Sequence, residues 1–326
     1  MDAHDRPAEA RTGQEGPAER FEAHRGRLRA VAYRMLGSAD EADDAVQETW
    51  LRLGRVDAEE IENLGGWLRT VVSRVCLDML RARATRGEDL LGHRMPDGLP
   101  VPPGTGDGSG PEHEALLADS VGRALLVVLD TLAPVERVAF VLHDLFAVPF
   151  AEIAPLVDRT PVAAKKLASR ARRRVRGTTD VPADELARQR QVADAFLAAS
   201  RDGDLDALLA VLAPDVVRRA DRAALPPGAP AEVRGARAVA EGTLVFGRRA
   251  QYAEPALIDG AVGIVVAPYG RLCLALTLTV ERDRITAYEV IADPARLRRL
   301  TLAVPDEAAH SGHAGRAEHD RTAVMY

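Results

Sequence analysis

Between Arg159 and Arg176 the chain carries eight basic residues and no acid, and its only two lysines, Lys165 and Lys166, both lie in that block. At ~100° per residue, Val162, Lys165, Lys166, Ser169, Arg170 and Arg173 share one face of a helix. Ala164, Leu167, Ala168, Ala171 and Val175 share the opposite face. A helix that is small and apolar on one side and cationic on the other suits a major groove, with cations on phosphates and its first turns on base edges. Thr160 is a natural N-cap and Pro161 a natural first helical residue. The segment Phe150–Val157, the turn Asp158-Arg159-Thr160 and this helix have helix-turn-helix spacing. Pro155 falls inside the shorter helix, where it deletes a backbone hydrogen bond and predicts a kink.

A second charged constellation has the opposite sign. Nine acids and two arginines lie between Asp40 and Glu62. A helix there buries Ala42, Val46, Thr49, Trp50 and Leu53 and leaves Asp43, Asp44, Gln47 and Glu48 outward. From Arg69 to Arg86 the balance reverses, with five arginines and one acid, Asp78. In the helix Trp67–Arg83, Leu68, Val71, Val72, Val75 and Met79 point one way, and Thr70, Ser73, Arg74, Leu77 and Arg81 roughly the other. From these residues alone, solvated faces of a three-helix bundle are the preferred reading. The whole chain sums to 43 − 49 = −6, but the sign of a local surface, not the net charge, decides which face meets a polyanion.

Catalytic chemistry is poorly supplied. No histidine occurs between His143 and His310, and the two cysteines, Cys76 and Cys273, are far apart. No metal cluster, Cys-His pair or Ser-His-Asp set can be drawn, and His310, His313 and His319 are too loosely spaced to hold an ion. The acids Asp215, Asp221, Asp259, Glu289 and Asp293 are available as a general base, yet each also reads as a turn, cap or surface residue. The expectation is no enzyme, no cofactor and no metal. Sparse cysteine fits a reducing cytoplasm, the N-terminus lacks an apolar signal core, and no membrane span is expected.

These residues require a multidomain α and α+β framework. Residues 1–19 and 303–326 read as disordered tails. Residues 20–84 are helical: Leu28, Val31, Ala32, Met35 and Leu36 form a stripe, Gly37 stops it, and Ser38 with Glu41 forms a capping box. Residues 85–112, with seven glycines and five prolines, read as a flexible linker. Residues 113–177 are helical again. Over 184–302 a helix is followed by a curved antiparallel sheet, with strands expected at Gln251–Ile258, Gly263–Ala267, Arg271–Glu281 and Ile285–Ala292, and a hairpin turn at 281–284. In the third strand Leu272, Leu274, Leu276, Leu278 and Val280 alternate with Arg271, Cys273, Ala275, Thr277 and Thr279. The smaller face, Cys273, Ala275, Thr277 and Thr279, is the expected place for a pocket or a docking surface.

The block DEADDAVQETWLRL (40–53), the helix WLRTVVSRVCLDMLRAR (67–83) and the segment FAEIAPLVDRTPVAAKKLASRARRRVR (150–176) resemble an extracytoplasmic-function (ECF) sigma factor. The first two resemble its region 2, the last its region 4. The string QVADAFLAASRDGDLDALLAVLAPDVV, with ITAYEVIADPARL near the end, resembles the cone-shaped SnoaL-like fold, as in the SigJ-like subgroup. That subgroup's DGGGK and WLPEP-like motifs are replaced here by Arg219–Ala224 and Arg94–Gly98. The resemblance implies a cytoplasmic initiation subunit that binds core RNA polymerase and promoter DNA. It implies polymerase contacts at Asp40, Asp43, Asp44, Gln47, Glu48 and Trp50. It implies −10 handling by Thr70, Ser73, Arg74, Asp78, Arg81 and Arg83, although many relatives have an Asn where this chain has Ser73-Arg74. It implies −35 reading by Val162, Lys165, Lys166, Ser169, Arg170 and Arg173. The extension is expected to act in cis, through a small-molecule ligand or intramolecular docking. Two alternatives remain open: a ligand-responsive helix-turn-helix regulator independent of core polymerase, and a SnoaL-like isomerase fused to a DNA-binding module.

Overall fold

A computed structural model describes residues 16–57, 60–86, 120–245 and 247–304. The expected tails and the Gly/Pro-rich segment lie almost wholly outside the described residues. Their edges do not: the first helix already begins at Pro17, the third runs on to Arg86, and Leu302–Ala303 is a strand.

Helix α1 (Pro17–Leu36) starts with proline in its first turn and ends at Gly37, whose φ of 77° lets its N–H reach the Tyr33 carbonyl. In α2 (Ala39–Leu53) the Ser38 side chain accepts from the Glu41 N–H. The reciprocal half of the expected capping box is diverted, because the Glu41 carboxylate instead accepts from Arg83 Nε at 3.1 Å. Helix α3 (Leu64–Arg86) completes the group, with Leu28, Met35, Val46, Leu53, Leu68 and Val72 in its core.

Helix α4 (Ser120–Asp130) leads to α5 (Pro134–Phe140), which widens into a π-helical turn over Val141–Leu145. Helix α6 (Phe150–Ile153) stops two residues before Pro155, so the proline ends the helix rather than kinking it. Asp158 turns the chain with φ 53°, Thr160 accepts from the Ala163 N–H at 3.2 Å, and α7 (Pro161–Arg176) follows.

Beyond Gly177, α8 (Ala183–Asp202) and α9 (Leu205–Val211) run into a seven-stranded sheet. The strands are β1 (Leu212–Ala220), β2 (Glu232–Arg234), β3 (Ala253–Ile258), β4 (Ala261–Val266), β5 (Leu274–Glu281), β6 (Arg284–Ile291) and β7 (Leu302–Ala303), in the order β2-β1-β6-β5-β4-β3-β7. Helices α10 (Ala236–Val245) and α11 (Gly247–Ala250) lie between β2 and β3, and α12 (Pro294–Leu297) follows β6. The hairpins turn at Asp259-Gly260 and Arg282-Asp283, all with φ > 0. The sheet is mixed, not purely antiparallel: β1 pairs parallel to β6. A return through α10 and four intervening strands brings β6 alongside β1, a crossover that local periodicity does not reveal.

The sheet separates two cores. Its inner face, with Leu274, Ile264, Val266 and Tyr288, packs on α8, α9 and α10. Its outer face, with Ala256, Val265, Ala275 and Ile291, belongs to the same apolar core as α1 to α7.

Candidate DNA, polymerase and docking surfaces

The α7 surface is built by one-sided packing. Ala164, Leu167, Ala168, Ala171 and Val175 are buried, while Val162, Lys165, Lys166, Ser169, Arg170 and Arg173 all face solvent, Val162 at 67% exposure. The expected DNA face is therefore assembled on one side of one helix. Arg170 pairs with Glu136 at 3.1 Å, and Arg172 pairs with Asp144 at 2.6 Å, so part of the block's charge is directed to α5 and the π-helical turn after it. His143 stacks on Phe150 with ring centroids 3.8 Å apart and bonds the Val148 carbonyl, fixing the approach to α6.

The acidic helix α2 exposes Asp40, Asp43, Asp44 and Gln47. Asp43 accepts from Arg29 at 2.6 Å, and Glu48 from Arg52 at 2.9 Å. Trp50 is only half-exposed; its ring lies 5.0 Å from that of Phe21 and closes the helical core from outside.

The expected −10 set divides. Arg74, Asp78 and Arg81 are exposed, and Thr70 is half-buried with its hydroxyl donating to the Gly66 carbonyl. Ser73 and Arg83 are not available surface residues. Ser73 is fully buried and donates to the Arg69 carbonyl at 2.7 Å. Arg83 is buried between Glu41 and the Leu36 carbonyl, where it joins α1, α2 and α3. The reason is that α3 is packed on both sides: α1 and α2 cover one, and α5 approaches the other. Arg69 donates to Glu152 of α6 at 2.8 Å, and Arg81 lies 3.9 Å from Asp158 in the turn before α7.

The outer sheet face meets α4 at a contact that no sequence pattern announces. Glu254 of β3 is 2% exposed and accepts from Arg123 Nε at 2.6 Å and from the Ala124 N–H at 3.0 Å. Burial pushes its carboxyl up, against the pull of Arg123, the Ala124 N–H and Arg201. Neither Arg123 nor Glu254 stands out by spacing; only their juxtaposition across 131 positions makes the pair. Nearby, Asp130 and Arg137 form a buried ion pair, with burial pushing the aspartate up and Arg137 opposing it. Gly37 abuts Arg137, and a Cβ on Gly270 would stand 2.9 Å from the Gly37 carbonyl, so all three parts of the chain converge there. At the other end the Val304 N–H donates to the Val175 carbonyl, tying the residue after β7 to the last turn of α7.

Of the four residues expected to line a pocket or docking surface, Cys273 and Ala275 are buried, Ala275 in the core shared with the helices, while Thr277 is half-buried and Thr279 is exposed. The cavity of the domain lies on the opposite face, against Leu274, Leu276 and Tyr288. The large apolar residues are spaced around that hollow.

The candidate acids of this domain hold backbone. Asp221 accepts from the N–H groups of Ala224, Ala292 and Asp293, Asp259 from that of Thr301, and Asp293 from that of Arg296. Glu289 pairs with Arg296 at 2.8 Å, and Asp215 is exposed. None of the five lines the cavity. Among the described residues no group of three or more His, Cys, Asp or Glu could hold a metal ion, and no helix is long and apolar enough to cross a membrane.

Residues 20–86 match the family model for Sigma-70 region 2, and residues 122–175 that for Sigma-70 region 4. The ECF RNA polymerase sigma factor SigJ of Mycobacterium tuberculosis is 37% identical over 84% of this chain and 91% of its own. The probable ECF sigma factor SigI of the same species is 38% identical over 62% of this chain and 68% of its own. The crystal structure of Mycobacterium tuberculosis SigJ aligns over 86% of this chain and 98% of that one, at 34% identity and a TM-score of 0.44.

Proposed function

This chain belongs to the ECF sigma factors of RNA polymerase, and from that premise we propose that it binds core polymerase through α2 and reads promoter DNA through α3 and α7, with its C-terminal α+β domain regulating that activity in cis. The proposed organisation is a region 2-like domain over 20–84, a region 4-like domain over 113–177 and a regulatory domain over 184–302. The polymerase contacts are Asp40, Asp43, Asp44, Gln47 and Glu48, with Trp50 supporting the helix from its inner side. Val162, Lys165, Lys166, Ser169, Arg170 and Arg173 face the −35 element. Thr70, Arg74 and Arg81 face the −10 element, and Ser73 and Arg83 position them from within.

One observation carries the regulatory half: the packing of α3 against α5 and α6, closed by Arg69–Glu152 and Arg81–Asp158. Two promoter elements about 25 base pairs apart lie ~85 Å apart along the duplex axis, at ~3.4 Å per base pair. A chain in which α3 touches the turn before α7 cannot occupy both. It must open, and residues 87–119, at ~3.3–3.6 Å each when extended, can span about 110 Å. The extension opposes opening because it touches both domains: the 268–270 turn abuts Gly37 at the end of α1, while Glu254 grips α4 and the end of β7 holds the end of α7. A cavity lined by none of the domain's candidate acids supports a regulatory rather than catalytic role.

Run-off transcription with purified core polymerase tests the reading. Core plus the full chain should yield a promoter-specific transcript that neither yields alone. The charge reversal Asp43→Lys with Asp44→Lys should abolish core association while leaving the helical content intact. Normal association of that variant would contradict the assignment of α2. Sequence-specific promoter repression or activation that never requires core association would favour the independent-regulator alternative.

A further inference from the structure

The inner face of the C-terminal sheet lines a partly open cavity of about 150 Å³ between β5, β6, α8 and α10. Its walls are mostly apolar, from Phe196, Leu197, Ile264 and Leu276 among others, with Arg218 and Arg249 also in the lining. A well-packed domain fills such a space, and an apolar hollow of this size holds a molecule of benzene's dimensions. The hydroxyl groups at its lining can be accounted for proton by proton. Ser200 donates its hydroxyl hydrogen to the Phe196 carbonyl at 2.6 Å, and Thr243 donates to the Val239 carbonyl at 2.9 Å. The Tyr288 hydroxyl lies 3.0 Å from Thr243 Oγ1. Because the Thr243 proton is already given to Val239, Tyr288 must donate and Thr243 accept. Burial pushes the Tyr288 hydroxyl up, so it stays protonated and keeps that donor role at neutral pH. The lone pairs of the Tyr288 oxygen are then left as acceptors, with the neighbouring hydroxyl protons already committed elsewhere.

We infer that this cavity is a binding site for a compact, largely apolar molecule of single-ring size carrying one hydrogen-bond donor, which the Tyr288 hydroxyl oxygen accepts. The site stands apart from the regulatory reading above, since it lies on the sheet face turned away from α4. A ligand group that meets the Tyr288 oxygen with acceptors alone would face oxygen lone pairs.

The test titrates the full chain with phenol and with toluene, probes of equal shape that differ in one donor, and reads saturation by ligand-observed NMR. Both should bind at one site, phenol about three- to tenfold more tightly, the increment of one hydrogen bond. Gly242 lines the cavity, and a Cβ there meets nothing within 4 Å; Gly242→Phe should therefore plug the site and abolish binding of both probes. Tyr288→Phe keeps the ring that packs on Phe196, with centroids 5.7 Å apart, and should erase the preference while leaving toluene affinity within about twofold. Thr243→Val frees the Tyr288 proton and should shift preference towards benzaldehyde, an acceptor without a donor. Absence of saturable binding, equal affinities for the two probes, or binding that survives Gly242→Phe would overturn the assignment.

Discussion

Ser73 and Arg74 are neighbours in the chain and opposites in circumstance. Ser73 is sealed in the helical core with its hydroxyl bonded to the turn below it, while Arg74 is exposed on α3. Promoter opening should therefore respond to Arg74→Ala and not to Ser73→Ala; permanganate footprinting of the melted strand on holoenzyme complexes distinguishes them, and equal defects would contradict the assignment. On α7 the expectation is electrostatic. Removing one phosphate contact lowers the salt slope by about one, so Lys165→Ala with Lys166→Ala should lower the slope of log affinity against log salt by about two. An unchanged slope would move the DNA contact elsewhere. The difference in legibility between the two helices is physical. α7 is packed on one side only, so its periodicity separates buried from exposed residues. α3 is packed on two sides, and a helical wheel cannot tell a polar residue facing solvent from one facing a second helix. Ser73 and Leu77 are the residues misjudged for that reason, whereas Arg83 is hidden by Glu41 and the Leu36 carbonyl where α1 meets α2.

At the scale of elements, the contact that matters most is β3 on α4. The raised carboxyl of Glu254 gives the docked state a higher proton affinity than the undocked one. Its contribution to docking is then greatest below the ordinary carboxylate range and declines as pH rises through the docked-state value. Arg123, Arg201 and Tyr33 are the charged or titratable groups coupled to it. Glu254→Gln keeps one acceptor oxygen, for Arg123 or for the Ala124 N–H, and cannot titrate. Between about pH 4 and about pH 7, hydrogen exchange of the α4 amides should accelerate more in the wild type than in this variant; parallel profiles would remove Glu254 from the docking energetics. Gly177 supports the other anchor: it has φ 66°, and a Cβ would stand 2.5 Å from that of Ala303. Gly177→Ala should cost about 1–3 kcal/mol of stability by thermal unfolding, for backbone and clash together. Most helices, their caps and four of the strands were legible from pattern alone. The three-residue β2 and two-residue β7 are too short to show a period, and the parallel β1–β6 pairing depends on a partner about 70 positions away. The docking pair was illegible for the same reason: an arginine and a glutamate acquire meaning only when the fold brings them together.

At the scale of the whole molecule, the two proposed reading surfaces are joined to a third part that holds them close. The end of α1, α5 and the 268–270 turn share a junction at Gly37, Arg137 and Gly270, and the sheet's outer face completes the helical core. On the proposed reading, promoter engagement breaks that arrangement, because one compact body cannot reach both elements. The distance between Ala84 and Arg159, both exposed and each close to the Arg81–Asp158 contact, measures it directly. Spin labels on cysteines introduced there can be read by pulsed electron resonance; the native Cys76 and Cys273 are buried. In the free chain a single short distance of about 20 Å or less is expected. In the complex with core polymerase and promoter it should shift beyond about 50 Å, as the two surfaces separate towards the ~85 Å between their elements. A short distance that persists in a transcribing complex would contradict the proposed opening.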